Sequence, residues 1–347
     1  MNRYPTPLGL GRGAGPWWAL AGLMALTLVS APSAQAKKIK IATIAPKGSV
    51  FYTVLKDLGD EWKTLSKGRI VLKIYPGGVA GGDREVMRKI KLGTLHGGLI
   101  TATGLSVLDK SVNALQIPLA YRDYGEADYV RTQMHSGLAA IYAERGFVIL
   151  GWAEAGWIRF LSKTPIRVPA DRAGHRFFVI AGDPEQAAVW KAAGFMVVPL
   201  PTAEISTGLQ TGLITAMPTT AQAALLLQWY KHAPHMMARP WAPLMGALVI
   251  DKRVWDRVEP GLRAALAAAA ERAAARLLQE SRRAEVASVE AMKKRGLVLH
   301  PVTKAQLAAW RALVQSAHHA IRGPYAPPAK YDEAMGHLEA YRKAKGE

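Results

Sequence analysis

The sequence predicts an α/β fold arranged in two lobes, and three observations lead there. Strand-like and helix-like segments alternate from residue 39 onward, turns rich in glycine and proline separate them, and the chain is longer than a single core usually fills. The order of strand, helix, strand, helix at the start favours a mostly parallel sheet covered by helices on both faces. In such sheets ligands bind beyond the carboxyl ends of the strands.

The elements follow in order. Residues 39–44 (IKIATI) alternate apolar and polar side chains and then meet Pro46 and Gly48, as a strand does when it runs into a loop. Val50, Val54, Leu58, Trp62 and Leu65 are spaced at helical intervals between Val50 and Ser66, and Gly68 lies just past that helix. Residues 70–75 (IVLKIY) read as a second strand, closed by Pro76-Gly77-Gly78, and Gly81-Gly82 opens a second helix through Leu92. Phe147 to Trp152, Arg176 to Ile180, Met196 to Leu200 and residues 243–250 are strand-like, and Pro184 to Ala193 is helical. Pro260 to Arg295 is rich in alanine with Glu and Arg between, which favours one long helix. A helix near Lys304 to Ile321 follows, and Pro324, Pro327 and Pro328 imply an extended stretch after it.

The N-terminus reads as an export signal. Arg3 and Arg12 precede an uncharged apolar run from Trp17 to Val29 that is too short to span a bilayer, and Ala34-Gln35-Ala36 supplies a cleavage pattern before Lys37-Lys38. Cleavage after Ala36 places the mature protein in the periplasm; an uncleaved anchor is the alternative. The mature chain then has 311 residues (347 less 36).

Composition narrows the function classes. There is no cysteine, which excludes disulfides, thiol catalysis and cysteine metal sites. The formal charge is +19, or +17 once Arg3 and Arg12 leave with the signal. Export argues against nucleic acid, and the basic residues are scattered, so a solvated basic surface is the plain reading. Attraction to an anionic membrane surface or an acidic partner is the alternative.

Catalytic and metal motifs are lacking. Gly77, Gly78, Gly81 and Gly82 have neither dinucleotide-binding nor P-loop spacing and read as turn chemistry. His232 and His235 are separated by Pro234, with no Cys or carboxylate to complete a metal set, and Ser106 follows no nucleophile-elbow pattern. Neither an enzyme nor a cofactor is expected.

The mature chain resembles the DctP-type solute receptors of TRAP (tripartite ATP-independent periplasmic) transporters. The likeness runs through residues 39–52 (IKIATIAPKGSVFY), 67–82 (KGRIVLKIYPGGVAGG), 87–95 (MRKIKLGTL), 113–123 (NALQIPLAYRD), 164–220 and 249–266 (VIDKRVWDRVEPGLRAAL). It implies two lobes joined by crossing strands and a long helix, with a small molecule trapped by hinge closure and passed to TRAP-type or other inner-membrane subunits. On that basis residues 37–155 with about 243–285 form lobe I. Residues 156–242 with the C-terminal helices, about 286–347, form lobe II and the lobe-spanning helix. The crossover is expected near Gly151 to Ile158.

The resemblance also implies an arginine that clamps a carboxylate, four residues after Gly174, and here that position is Phe178. The polar phrase near Ile214 is altered too, with Thr215, Pro218 and Thr219 replacing the usual acidic residues and asparagine. The chain thus resembles an atypical subgroup without the clamp. An upstream arginine survives as Arg159, and Arg176, two residues before Phe178, would share its face of a strand. Phe178 is expected to face the cleft within an apolar wall, alongside Trp152, Trp157, Met217, Thr219 and Trp241. Phe160, Trp229 and Met245 are further candidates, and Met236-Met237 is either adaptable surface or core. The expected ligand is hydrophobic or amphipathic, even lipid-like. The alternatives are an ordinary receptor for an organic acid held by Arg159 and Arg176, and a basic interaction protein without a ligand.

Overall fold

The computed structural model describes residues 36–346. The expected export signal lies outside them apart from Ala36. Ten strands are present among the described residues: β1 (Lys37–Thr43), β2 (Ile70–Tyr75), β3 (Gly97–Thr101), β4 (Phe147–Ser162), β5 (Arg176–Ile180), β6 (Met196–Leu200), β7 (Ala216–Thr220), β8 (His235–Met237), β9 (Ala242–Asp251) and β10 (Val298–His300). The helices are α1 (Val50–Leu65), α2 (Asp83–Lys91), α3 (Ala102–Leu105), α4 (Tyr124–Glu144), α5 (Pro184–Ala192), α6 (Ile205–Thr211), α7 (Ala221–Leu226), α8 (Lys252–Asp256), α9 (Pro260–Lys293), α10 (Lys304–Ser316), α11 (His318–Ile321) and α12 (Pro328–Ala344).

The parallel units expected from the sequence are there: β1 lies between β2 and β3, and β5 between β6 and β7. What joins them is antiparallel. β9 pairs with β3, β4 runs along β9 and then along β7, and the strand order is β2-β1-β3-β9-β4-β7-β5-β6 with β8 and β10 to one side. The sheet is therefore mixed and its hydrogen bonding continuous. The β3–β9 pairing needs glycine, because a Cβ on Gly97 would lie 2.4 Å from the Val249 carbonyl and one on Gly246 2.5 Å from that of Ile100.

Side-chain alternation divides the core into four clusters. Two flank the first half of the sheet: one holds Val86, Leu105, Val130, Met134 and Trp152, the other Ile39, Ile41, Leu58, Trp62 and Leu266. Two flank the second half, where neighbours Phe177 and Phe178 enter different clusters. Strand β4 changes halves where its register to β9 shifts between Glu154 and Trp157. The 34-residue α9 starts in the first-half core with Leu266 and ends in the second-half core with Met292. At about 1.5 Å per residue it is about 50 Å long.

Two expectations for the C-terminus need correction. The segment after Pro324 is not extended, because Pro328 occupies the first turn of α12, where a missing N–H costs nothing. Nor does it join the second half. Ala334 and Leu338 pack with Val130 and Leu138 of α4, because α12 presents its apolar stripe to that helix.

Candidate ligand-binding site

A pocket of about 170 Å³ opens between the two halves of the sheet. One wall comes from the loop after β1 (Ile44, Pro46), from Phe51 of α1 and from the ends of β3 and β9; the other from Ala223, Leu226, Leu227 and Trp229 on and after α7. Residues 153–155 of β4 lie between them. It is bounded by strand ends and the loops beyond them, as expected for parallel α/β units. Ile44, Leu226 and Leu227 are exposed for large apolar residues, at 38%, 44% and 42%.

The polar groups of this wall are mostly engaged elsewhere. Thr43 Oγ1 accepts from the Ala45 N–H, Ser49 Oγ donates to the Pro46 carbonyl, and Thr101 Oγ1 donates to Asp83. Gln222 Nε2 donates to the carbonyl of Ser281 at 2.9 Å, and Trp229 Nε1 to Ser206 Oγ at 3.1 Å. Among the described residues no Lys, Arg or His lines the pocket, and Glu154 is the single charged one. That side chain is 1% exposed and bonded to Arg282, 3.1 Å away. Burial nevertheless pushes its pKa up against the pull of Arg282.

Beside the pocket lies a charge cluster on α9. Arg282 also holds Asp128 of α4 at 2.7 Å and covers the Tyr124 ring. Arg159 of β4 is paired with Glu285, and its Nε donates to the Ala238 carbonyl at 3.3 Å. Burial and the neighbouring Glu285 raise the pKa of the Tyr124 hydroxyl, which donates to that carboxylate.

The model of the bacterial extracellular solute-binding proteins, family 7 (DctP), matches residues 41–322. The chain belongs to this family. Among curated relatives, the 2,3-diketo-L-gulonate-binding periplasmic protein YiaO of Escherichia coli is 24% identical over 258 residues, 73% of this chain and 77% of YiaO. A TRAP periplasmic solute-binding protein of Xanthobacter autotrophicus, solved with β-D-galacturonate, superposes with a TM-score of 0.80 at 22% identity, covering 87% of this chain and 99% of the other. The sugar acid binding protein of Advenella mimigardefordensis, solved with galactonate, gives 0.82 at 15% identity, covering 88% and 98%. A family 7 receptor binds solutes and is not an enzyme. Its partners by family are a small molecule and TRAP transporter components.

In this receptor none of the eight residues singled out by sequence as site candidates lies in the pocket wall. Phe178 is placed in the core instead, 5% exposed and clustered with Leu161, Leu200, Leu209 and Met217. The reason is positional, since β5 is an inner strand whose face is already covered by apolar side chains. Arg176 is exposed at the amino end of β5, where its guanidinium donates to the carbonyls of Gly212 and Leu213, the latter at 3.1 Å. Trp152 donates to His135 Nδ1 and Trp157 packs on Tyr124. Trp241 stacks with Trp190 around Phe160. Thr219 lies opposite Arg159 in the β4–β7 register, one residue before Thr220 of the wall. Of the further candidates, Trp229 and Met245 do line the pocket, whereas Phe160, Met236 and Met237 are core. His235 meets His300 at 2.9 Å rather than His232. The wall residues that sequence reasoning missed, Leu226 and Leu227, stood in the run AALLLQW, too apolar for a short surface helix.

Proposed function

We propose that this receptor captures an uncharged, apolar or amphipathic small molecule in the pocket, by closure of two lobes, and delivers it to TRAP membrane subunits from the periplasm after cleavage behind Ala36. The observation that carries the reading is the wall itself. Among the described residues it offers no cation, and its one carboxylate is already bonded to Arg282. A carboxylate entering such a site would lose several kcal/mol of hydration with no partner to recover it. Apolar surface gains roughly 25 cal/mol for each Å² covered. The volume is close to the ~150 Å³ at which an apolar cavity admits a benzene ring. It therefore holds one ring or short chain, and the exposed Ile44, Leu226 and Leu227 accommodate more at the mouth. The hydrophobic reading thus rests on these residues and no longer on Phe178.

The second reading is an acid receptor, favoured by the galacturonate and galactonate held by the structural relatives. Native mass spectrometry of the protein purified from its periplasm, followed by calorimetric titration with D-galacturonate, separates the two. An uncharged co-purified ligand and no heat with galacturonate are expected. Micromolar binding of galacturonate would overturn the proposal.

A further inference from the structure

Arg159 and Glu285 stand just behind the pocket. Arg159 is one residue from Ile158, the register partner of the wall residue Thr220, and Glu285 lies one helical turn beyond Ser281, which holds Gln222 of the wall. The two form a buried ion pair, their side chains 14% and 4% exposed. Glu285 also accepts from the Tyr124 hydroxyl and from the main-chain N–H of Trp157 at 3.3 Å. Space for it is left by Gly156, at φ +87°, where a Cβ would lie 2.9 Å from Glu285 Oε2. A guanidinium, a phenol and an amide therefore converge on one carboxylate beside the ligand pocket. In chemical terms this is a carboxylate-binding site, filled by a carboxylate of the chain itself.

We propose that Glu285 is a specificity-determining residue: an internal counter-ion that occupies Arg159 and so denies it to an acidic ligand. Discrimination then comes from the competitor already seated and not from the shape of the wall. An acid must displace Glu285, which leaves a buried carboxylate without its partner, whereas a neutral solute disturbs nothing. This inference rests on the reading of the pocket as a site for uncharged solutes, and the test keeps the two apart.

The experiment titrates D-galacturonate into the wild-type protein, Glu285→Gln, and the double variant Glu285→Gln with Arg159→Gln, each checked by circular dichroism and thermal melting. The wild type should give no measurable binding. Glu285→Gln, which keeps the shape but frees the guanidinium, should gain about tenfold or more in affinity, and the double variant should lose that gain. A folded Glu285→Gln no better than wild type overturns the inference. If that variant does not fold, Glu285→Asp, whose carboxylate is drawn back by one methylene, decides by the same comparison. Binding by the wild type itself overturns the pocket reading instead, and the inference is then judged by whether the variant binds about tenfold tighter still.

Discussion

Two neighbouring regions of β4 treat polarity in opposite ways. Residues 153–155 border a pocket whose wall carries one charge among the described residues, while residues 154–159 border a cluster in which Arg159 pairs with Glu285 and Arg282 pairs with Asp128 and Glu154. In the second region every charge has its counter-charge within the chain. On the function proposed above, the ligand is recognised by apolar contact. The comparison teaches that an arginine near a binding pocket identifies an acid receptor only if its guanidinium is unengaged.

Breaking the charged region should have the largest effect. Arg159→Leu leaves Glu285 buried and unpaired, for an expected loss of about 3–5 kcal/mol in denaturant unfolding. Adding Glu285→Leu to it should recover most of that loss, and a double variant as unstable as the single would mean that the pair is not one unit.

The pocket should respond the other way round. Leu227→Lys alters an exposed side chain, so stability should change by no more than about 0.5 kcal/mol. Affinity for the co-purified ligand should fall about tenfold, because the mouth loses apolar area and gains a charge. A large drop in melting temperature with unchanged binding would reverse the assignment of the two regions.

The smallest effect sharpens the contrast at a third place, where like charges would meet. His300 is 5% exposed, between His235 and the Arg167 guanidinium, 3.3 Å away. Burial, then Arg167 and His235, hold its pKa below 6.5. The unfolded chain therefore takes up the proton first as pH falls, so the contribution of neutral His300 is present above pH 6.5 and is lost as pH drops through the lowered folded value. His96 and His175 are shifted in the same direction. Melting temperature should fall on acidification, and His300→Gln should flatten that slope in part; an unchanged slope would count against this role.

Much of the fold was legible because it is local. The helix expected from Val50 to Ser66 is α1, and the long alanine-rich helix is α9 within two residues at its end. The strands at residues 176–180 and 196–200 coincide with β5 and β6. β4 was read only to Trp152, because beyond it Gly156 breaks the pattern that the bulge then absorbs. α4 was missed although Val130, Met134, Leu138 and Tyr142 recur every fourth residue after the N-cap Asp123. The site was less legible for a physical reason. Its wall is assembled from residues 43 to 246, and Arg159 meets a carboxylate 126 residues away, a distance over which sequence periodicity carries no signal. Phe178 was read as standing at the clamp position, but alternation along β5 could not say whether its face met ligand or core.

The aromatic packing has an optical consequence. Phe160 touches five rings at centroid distances of 4.9–5.8 Å, among them Trp190, Trp241 and Trp310, so those indoles are coupled to one another and sealed from solvent. Trp229 makes no ring contact among the described residues and stands in the pocket wall with its indole N–H tied to Ser206. Among the described residues Trp229 is the one indole in the pocket wall, so its emission is the one expected to change colour with what occupies the pocket, against a background from buried indoles in both halves of the sheet.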